Sequence, residues 1–173
     1  MIKTPPTIES LKSAGLRLIE SGKAQLKETK DLLPVIKLGD AADGSADMIF
    51  GIASDMNSGT AKDKLSELIK GLIAKHGFFH SVSMFDAYHL QSKDKDEGEL
   101  ILCLREMGVP SPEIAKMGLG TLREQIGVFI EAVGTKIAMS CPYERDADGA
   151  ITSFGEIEET IDANFSGRMI FFE

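Results

Sequence analysis

Thr121-Leu-Arg-Glu-Gln-Ile-Gly-Val-Phe-Ile-Glu-Ala-Val133 is the stretch on which the fold turns. Two periods fit it. Thr121 and Glu124 make a capping box, and Leu122, Ile126, Phe129, Ile130 and Val133 fall at helical spacing. Against that, Ile126, Val128 and Ile130 alternate as a strand does, the segment is β-branched, and Gly127 sits in its middle. The residues after Val133 tip the balance. Gly134-Thr135 is a turn signal, and Lys136-Ile-Ala-Met-Ser-Cys-Pro-Tyr143 reads as a strand. The segment 121–133 is therefore expected to be the first arm of a hairpin. Asp148-Gly149 makes a second hairpin into Ala150–Phe154, since Asp-Gly supplies the positive φ of a tight turn.

Outward from this meander, residues 7–30 read as a long amphipathic helix. Thr7 is its N-cap, Glu9 lies in its first turn, and Ile8, Leu11, Gly15, Leu18, Gly22 and Leu26 form its stripe. Gly15 and Gly22 weaken the helix and allow a second backbone to come close, either the sheet or another copy; packing onto the sheet is preferred. Leu33–Gly39 is a strand, with Pro34 marking an edge or a strand start. Asp40–Asp47 is a hairpin loop around Asp43-Gly44. Met48–Ser54, apolar on both faces, is expected to be an interior strand. Ala61–His76 is the clearest helix and stops at Gly77. Phe78–Leu90 is a strand, 91–99 a charged and mobile loop, and Leu100–Met107 a helix. A short helix starts at Ser111-Pro112. A helix near 156–165 and a strand over Arg168–Phe172 close the chain. This order predicts an α+β fold in a single domain, with a mixed, mainly antiparallel sheet and helices packed on its faces.

Composition agrees with one domain. The chain has 173 residues, 43% hydrophobic and 27% charged, with net charge −8. An acidic balance without a Lys/Arg cluster argues against nucleic acid as a partner. No apolar run approaches the ~18 residues of a membrane span, so a membrane partner is not expected either. The N-terminal residues lack a signal peptide's apolar core, and Cys103 and Cys141 sit in apolar company. Together these predict a cytoplasmic protein with two buried free thiols.

Three places carry candidate chemistry. Glu144-Arg-Asp-Ala-Asp-Gly-Ala-Ile-Thr-Ser-Phe-Gly-Glu156 resembles an EF-hand loop, with Glu144, Asp146 and Asp148 at positions 1, 3 and 5 and Gly149 at position 6. It departs from that pattern at position 12, where Gly155 stands and Glu156 comes one residue late. A strand, not a helix, precedes it, so the hairpin reading is preferred to calcium. Next, Asp55 followed by Ser58-Gly59-Thr60 at a helix start, with Lys62 nearby, resembles the phosphate loop of phosphoribosyltransferases. The second acidic residue of that pattern is missing and the Gly-Thr spacing is short. Thr60 as a helix cap is the simpler explanation.

Third, Asp86 lies in an apolar strand on the same side as Val82, Met84, Tyr88 and Leu90. A carboxylate there must be paired or carry a raised pKa, which makes Asp86 the candidate catalytic residue. The histidines give no zinc set: His76 and His80 could be neighbours, but His89 falls on the opposite strand face. No nucleophile elbow and no cofactor fingerprint is present, so no cofactor is expected. The reading that remains is a non-enzymatic binding or assembly protein, its partner itself as a homo-oligomer or another protein. A phosphorylated small ligand at Ser58–Thr60 and calcium at 144–156 are the alternatives.

Overall fold

In the computed structural model, residues 4–52, 59–162 and 171–172 are described. The elements run α1 (Ile8–Thr29), β1 (Val35–Gly39), β2 (Met48–Gly51), α2 (Gly59–His76), β3 (His80–Gln91), α3 (Lys95–Glu106), α4 (Ser111–Lys116), β4 (Thr121–Ala132), β5 (Thr135–Arg145), β6 (Ile151–Phe154) and β7 (Glu158–Ile161). The fold is α+β, built on a seven-stranded sheet of order β2-β1-β3-β4-β5-β6, with β7 also on β5. Every described pairing is antiparallel. Among the described residues no helix is long and apolar enough to cross a membrane.

The segment 121–133 is a strand over Thr121–Ala132 and pairs with β3 along its whole length, His80 opposite Ala132 and Gln91 opposite Thr121. Its helical capping pattern loses to the ladders waiting on either side. Gly134, at φ 73°, makes the turn into β5.

α1 lies across one face of the sheet. Thr7 caps it by accepting the Ser10 N–H at 3.1 Å. Its buried stripe of Leu11, Leu18, Ile19 and Leu26 meets Val82, Met84, Ile126, Val128, Ile130, Ile137 and Met139, the inward residues of β3, β4 and β5. Gly15 and Gly22 lie at this contact and face the sheet, not another copy. A Cβ on Gly15 would sit 2.6 Å from Met139 Sδ, and one on Gly22 2.8 Å from Met84 Sδ. On the other face, Ile69 of α2 packs with Ile36 and Leu38 of β1 and with Phe78, Phe171 and Phe172.

The structure departs from the sequence reading in four places. β2 is an edge strand among the described strands, with β1 as its one described partner and Ile49 exposed. The charged stretch 91–99 is not one loop: α3 starts at Lys95. Asp94 accepts the Glu97 N–H at 2.9 Å and Glu97 accepts the Lys93 N–H at 2.6 Å, a reciprocal cap that turns a charge run into a helix start. The helix expected near 156–165 is replaced over Glu158–Ile161 by β7, which covers the edge of β5 at Ile137–Ser140. Here an unpaired ladder outweighs a weak local propensity. Phe171 and Phe172 belong to no strand but are buried, and the Phe171 N–H donates to Glu131 Oε2 at 2.9 Å. The rest of the strand expected at 168–172, and residues 163–165, lie outside the described residues.

Two glycines separate packing from propensity. Gly71 of α2 has open space where a Cβ would go. Gly71→Ala is expected to stabilise by about 0.5–1 kcal/mol through helix propensity alone. Gly15→Ala gains the same propensity but drives a methyl into Met139 and Ile130, at a cost of about 1–3 kcal/mol. Urea denaturation of both variants should show Gly71→Ala more stable than wild type and Gly15→Ala not.

Candidate functional site

At the end of the sheet where α1 stops, three strands bring polar side chains together on the face that α1 covers. β3 contributes Asp86 and Tyr88, β4 Glu124, and β5 Tyr143 and Arg145. The register sets Tyr88 opposite Glu124 and Glu124 opposite Tyr143. The Tyr143 hydroxyl donates to Asp86 Oδ1 at 2.8 Å. Every nitrogen of Arg145 is engaged. Its Nε donates to Glu124 at 3.0 Å, Nη1 to the Lys30 carbonyl at 2.6 Å and the Gly149 carbonyl at 3.2 Å, and Nη2 to the Tyr143 hydroxyl at 3.2 Å. Lys30, left-handed at φ 64°, caps α1 and reaches the Asp148 carbonyl through its own ammonium. One guanidinium thus ties the end of α1, the β5–β6 hairpin and the sheet into one unit.

Burial raises the Asp86 carboxyl above the usual carboxylate range, against the opposing pull of the Tyr143 hydrogen bond and the Arg145 charge; Asp31 adds to the rise. The Tyr143 hydroxyl is pushed well above the ordinary phenol by burial and by Asp86. Its proton is committed to Asp86. The Arg145 guanidinium has no free N–H fork to offer a ligand. What the cluster leaves available is the second oxygen of Asp86, which accepts no hydrogen bond of ordinary geometry from a described residue, beside the Tyr88 ring, 46% exposed.

Next to this carboxylate runs an open strand edge. β1 pairs with β3 only from His80 to Met84. Among the described strands, Phe85–Gln91 has β4 on one side and nothing on the other. Hydrogen-bond alternation fixes which groups face out. The Ile52 N–H donates to the Pro34 carbonyl, so residues 34, 36 and 38 bond toward β2 and 35, 37 and 39 toward β3. The even residues of β3 therefore direct N–H and C=O toward the β1 side. Beyond β1 these are Asp86, Tyr88 and Leu90, and no described residue bonds their backbone there.

The other expected sites are dispersed. Asp55 and Ser58 lie outside the described residues, while Gly59, Thr60 and Lys62 form the first turn of α2. Asp146 closes its hairpin, Oδ1 accepting the Asp148 and Ala150 N–H groups at 2.9 and 2.8 Å. Glu144 accepts the Ser153 hydroxyl at 3.0 Å, and Asp148 and Glu156 are exposed. Among the described residues no three His, Cys, Asp or Glu side chains converge as metal ligands would. His76 stacks on Phe78 at 5.6 Å, and His89 is exposed on the opposite face from His80. Cys141 is buried as expected, but Cys103 is exposed on α3, whose inward residue in that turn is Ile101.

Sequence reasoning missed two buried titratable side chains. His80 lies beneath the Asp40–Asp47 loop. Gly39 makes room for it, since a Cβ there would sit 2.3 Å from the Ser45 carbonyl and 2.9 Å from the imidazole. Burial lowers its pKa, opposed by the Gly44 backbone and by Asp47, Asp40 and Asp43, and neither ring nitrogen makes a hydrogen bond of ordinary geometry. Glu131 is buried on the other face, its pKa raised by burial and opposed by the Phe171 N–H, Lys136 and Lys70. Only their alternation within strands hinted at burial. Compared with protein-family models, with curated proteins and with solved structures, the chain finds no match.

Asp86 gives a pH prediction. Its folded pKa is raised, so the native state holds a proton that the unfolded chain, near 3.8, gives up more readily. Stability therefore falls as pH rises from about that value through the folded pKa, and the penalty persists at neutral pH. Asp86→Asn keeps an acceptor for Tyr143 and carries no charge. It is expected to be more stable than wild type at pH 7, with the gain vanishing as the pH is lowered to about 3.8, measured by urea denaturation across pH.

Proposed function

We propose that the chain is a non-enzymatic binding protein that docks an extended partner segment by strand addition along the outer edge of β3. The observation that carries this reading is the edge at Phe85–Gln91, along which β4 is the one described strand that pairs. Exposed edges template pairing, and proteins usually blunt them with short strands, charged side chains, proline or bulges. The other edges of this sheet follow that rule. β2 and β7 are four residues each, and β7 opens with Glu158 and Glu159. Phe85-Asp-Ala-Tyr-His-Leu-Gln91 is longer, contains no Pro or Gly, keeps its register with β4 without a bulge, and carries Asp86 as its one charged side chain. Aromatic and aliphatic residues along it favour an extended partner, and backbone hydrogen bonds would supply the affinity. The polar cluster supports the same reading, because it fixes the edge in place and leaves one Asp86 oxygen beside it.

Proline distinguishes docking from folding. The Tyr88 N–H faces out, so Tyr88→Pro removes only an edge donor, whereas Ala87→Pro removes a bond to β4. A displayed library of random linear peptides, selected on wild-type protein, tests the reading. Selected peptides should bind wild type and Tyr88→Thr but lose binding to Tyr88→Pro, whose far-ultraviolet dichroism stays native. Ala87→Pro should be destabilised by about 3 kcal/mol or more. Recovery of no binding peptide, or binding indifferent to Tyr88→Pro in the folded variant, would refute the reading.

A further inference from the structure

Asp86 adds a chemical selection to this edge. On the strand-addition reading, the side chains of an added strand that point toward the α1 face stand beside Asp86, Tyr88 and Leu90. An inward carboxylate on an edge normally discourages pairing, because a neighbouring strand takes away its water. Asp86 is compensated from inside by one hydrogen bond of ordinary geometry, from Tyr143. Arg145 cannot turn to it, since all three of its nitrogens are held by Glu124, Tyr143 and two backbone carbonyls. Asp31 adds negative charge nearby, and the Arg145 charge that reaches Asp86 is shared with Glu124, its ion-pair partner at 3.0 Å. Tyr88, two residues along on the same face, is exposed, and a tyrosine ring can hold a cation.

We propose that the edge accepts an extended segment of another protein that places a Lys or Arg side chain beside Asp86 and against the Tyr88 ring. A second copy of this chain is the wrong occupant. Antiparallel self-pairing of Phe85–Gln91 would set Asp86 opposite Leu90, Tyr88 or another Asp86, and none of these brings a cation. Each copy also carries a net charge of −8. A basic strand restores the compensation that Asp86 loses on docking. A neutral strand leaves a desolvated carboxylate, and that difference is the source of specificity.

The test uses short synthetic peptides of alternating Val and Thr, with one Lys stepped along the sequence, and the same set with Gln in place of Lys. Titration at fixed salt into the full chain should show the best Lys peptide binding at least about tenfold more tightly than its Gln counterpart. The difference should collapse in Asp86→Asn, and both sets should lose binding to Tyr88→Pro. Equal binding of Lys and Gln peptides, still lost in Tyr88→Pro, would overturn the basic-partner proposal and leave strand addition standing. Absence of binding by every peptide, or binding that ignores Tyr88→Pro, would overturn both. Light scattering should give the same mass for wild type and Tyr88→Pro; a dimer dissolved by Tyr88→Pro would overturn the choice of occupant.

Discussion

The ladder between β3 and β4 is the constraint on which the rest depends. It joins two twelve-residue strands without a register slip, and no other strand in the sheet is long enough to cover either of them alone. On one flank, β5 covers β4 and is itself covered in two pieces, by β7 at Ile137–Ser140 and by β6 at Tyr143–Arg145. On the other flank, β1 is five residues and stops at Val35, just after Pro34, whose missing N–H suits a strand start. Among the described strands, the mismatch in length leaves the far half of β3 paired on one side only. α1 then fixes the face: its two glycines let the helix axis drop close to Met84 and Met139, and its C-terminus lands where Arg145 can hold it.

At that landing point two charged residues differ in what they do for stability. Arg145 joins a helix end, a hairpin and two strands and is matched by its partners, so it organises the region. Asp86 is different. It is desolvated, has one close side-chain donor, and would be better tolerated as an amide. A residue that costs stability at the rim of an open edge is where a binding role is expected, because local consistency is usually broken at functional positions.

Much of the architecture was legible in the sequence because periodicity and turn chemistry agreed. α1 with its Thr7 cap, α2 with Gly77 after it, and the two Gly-turned hairpins after Ala132 and Arg145 all come from local rules. The errors came where a non-local partner decided. Met48–Gly51 is apolar yet lies at an edge, and Glu158–Ile161 is acidic yet pairs, because the neighbour of a strand is not written in the strand itself. The second half of α3 was read as a helix over Leu100–Met107, but its start at Lys95 was hidden by charges whose capping arrangement between Asp94 and Glu97 resembled a polar loop. Asp86 was legible from its alternation among apolar neighbours. Its partners Tyr143 and Arg145, far along the chain, were not, and the open edge beside it depends on where β1 ends.

Amide hydrogen exchange along β3 tests the central claim most directly, because alternation makes opposite demands on adjacent residues. If Phe85–Gln91 is an open edge, the Asp86, Tyr88 and Leu90 amides exchange rapidly. The Ala87 and His89 amides, bonded into β4, are protected like those of Val82 and Met84. Uniform protection from Phe85 to Gln91 would mean that the edge is already paired, and would contradict the account.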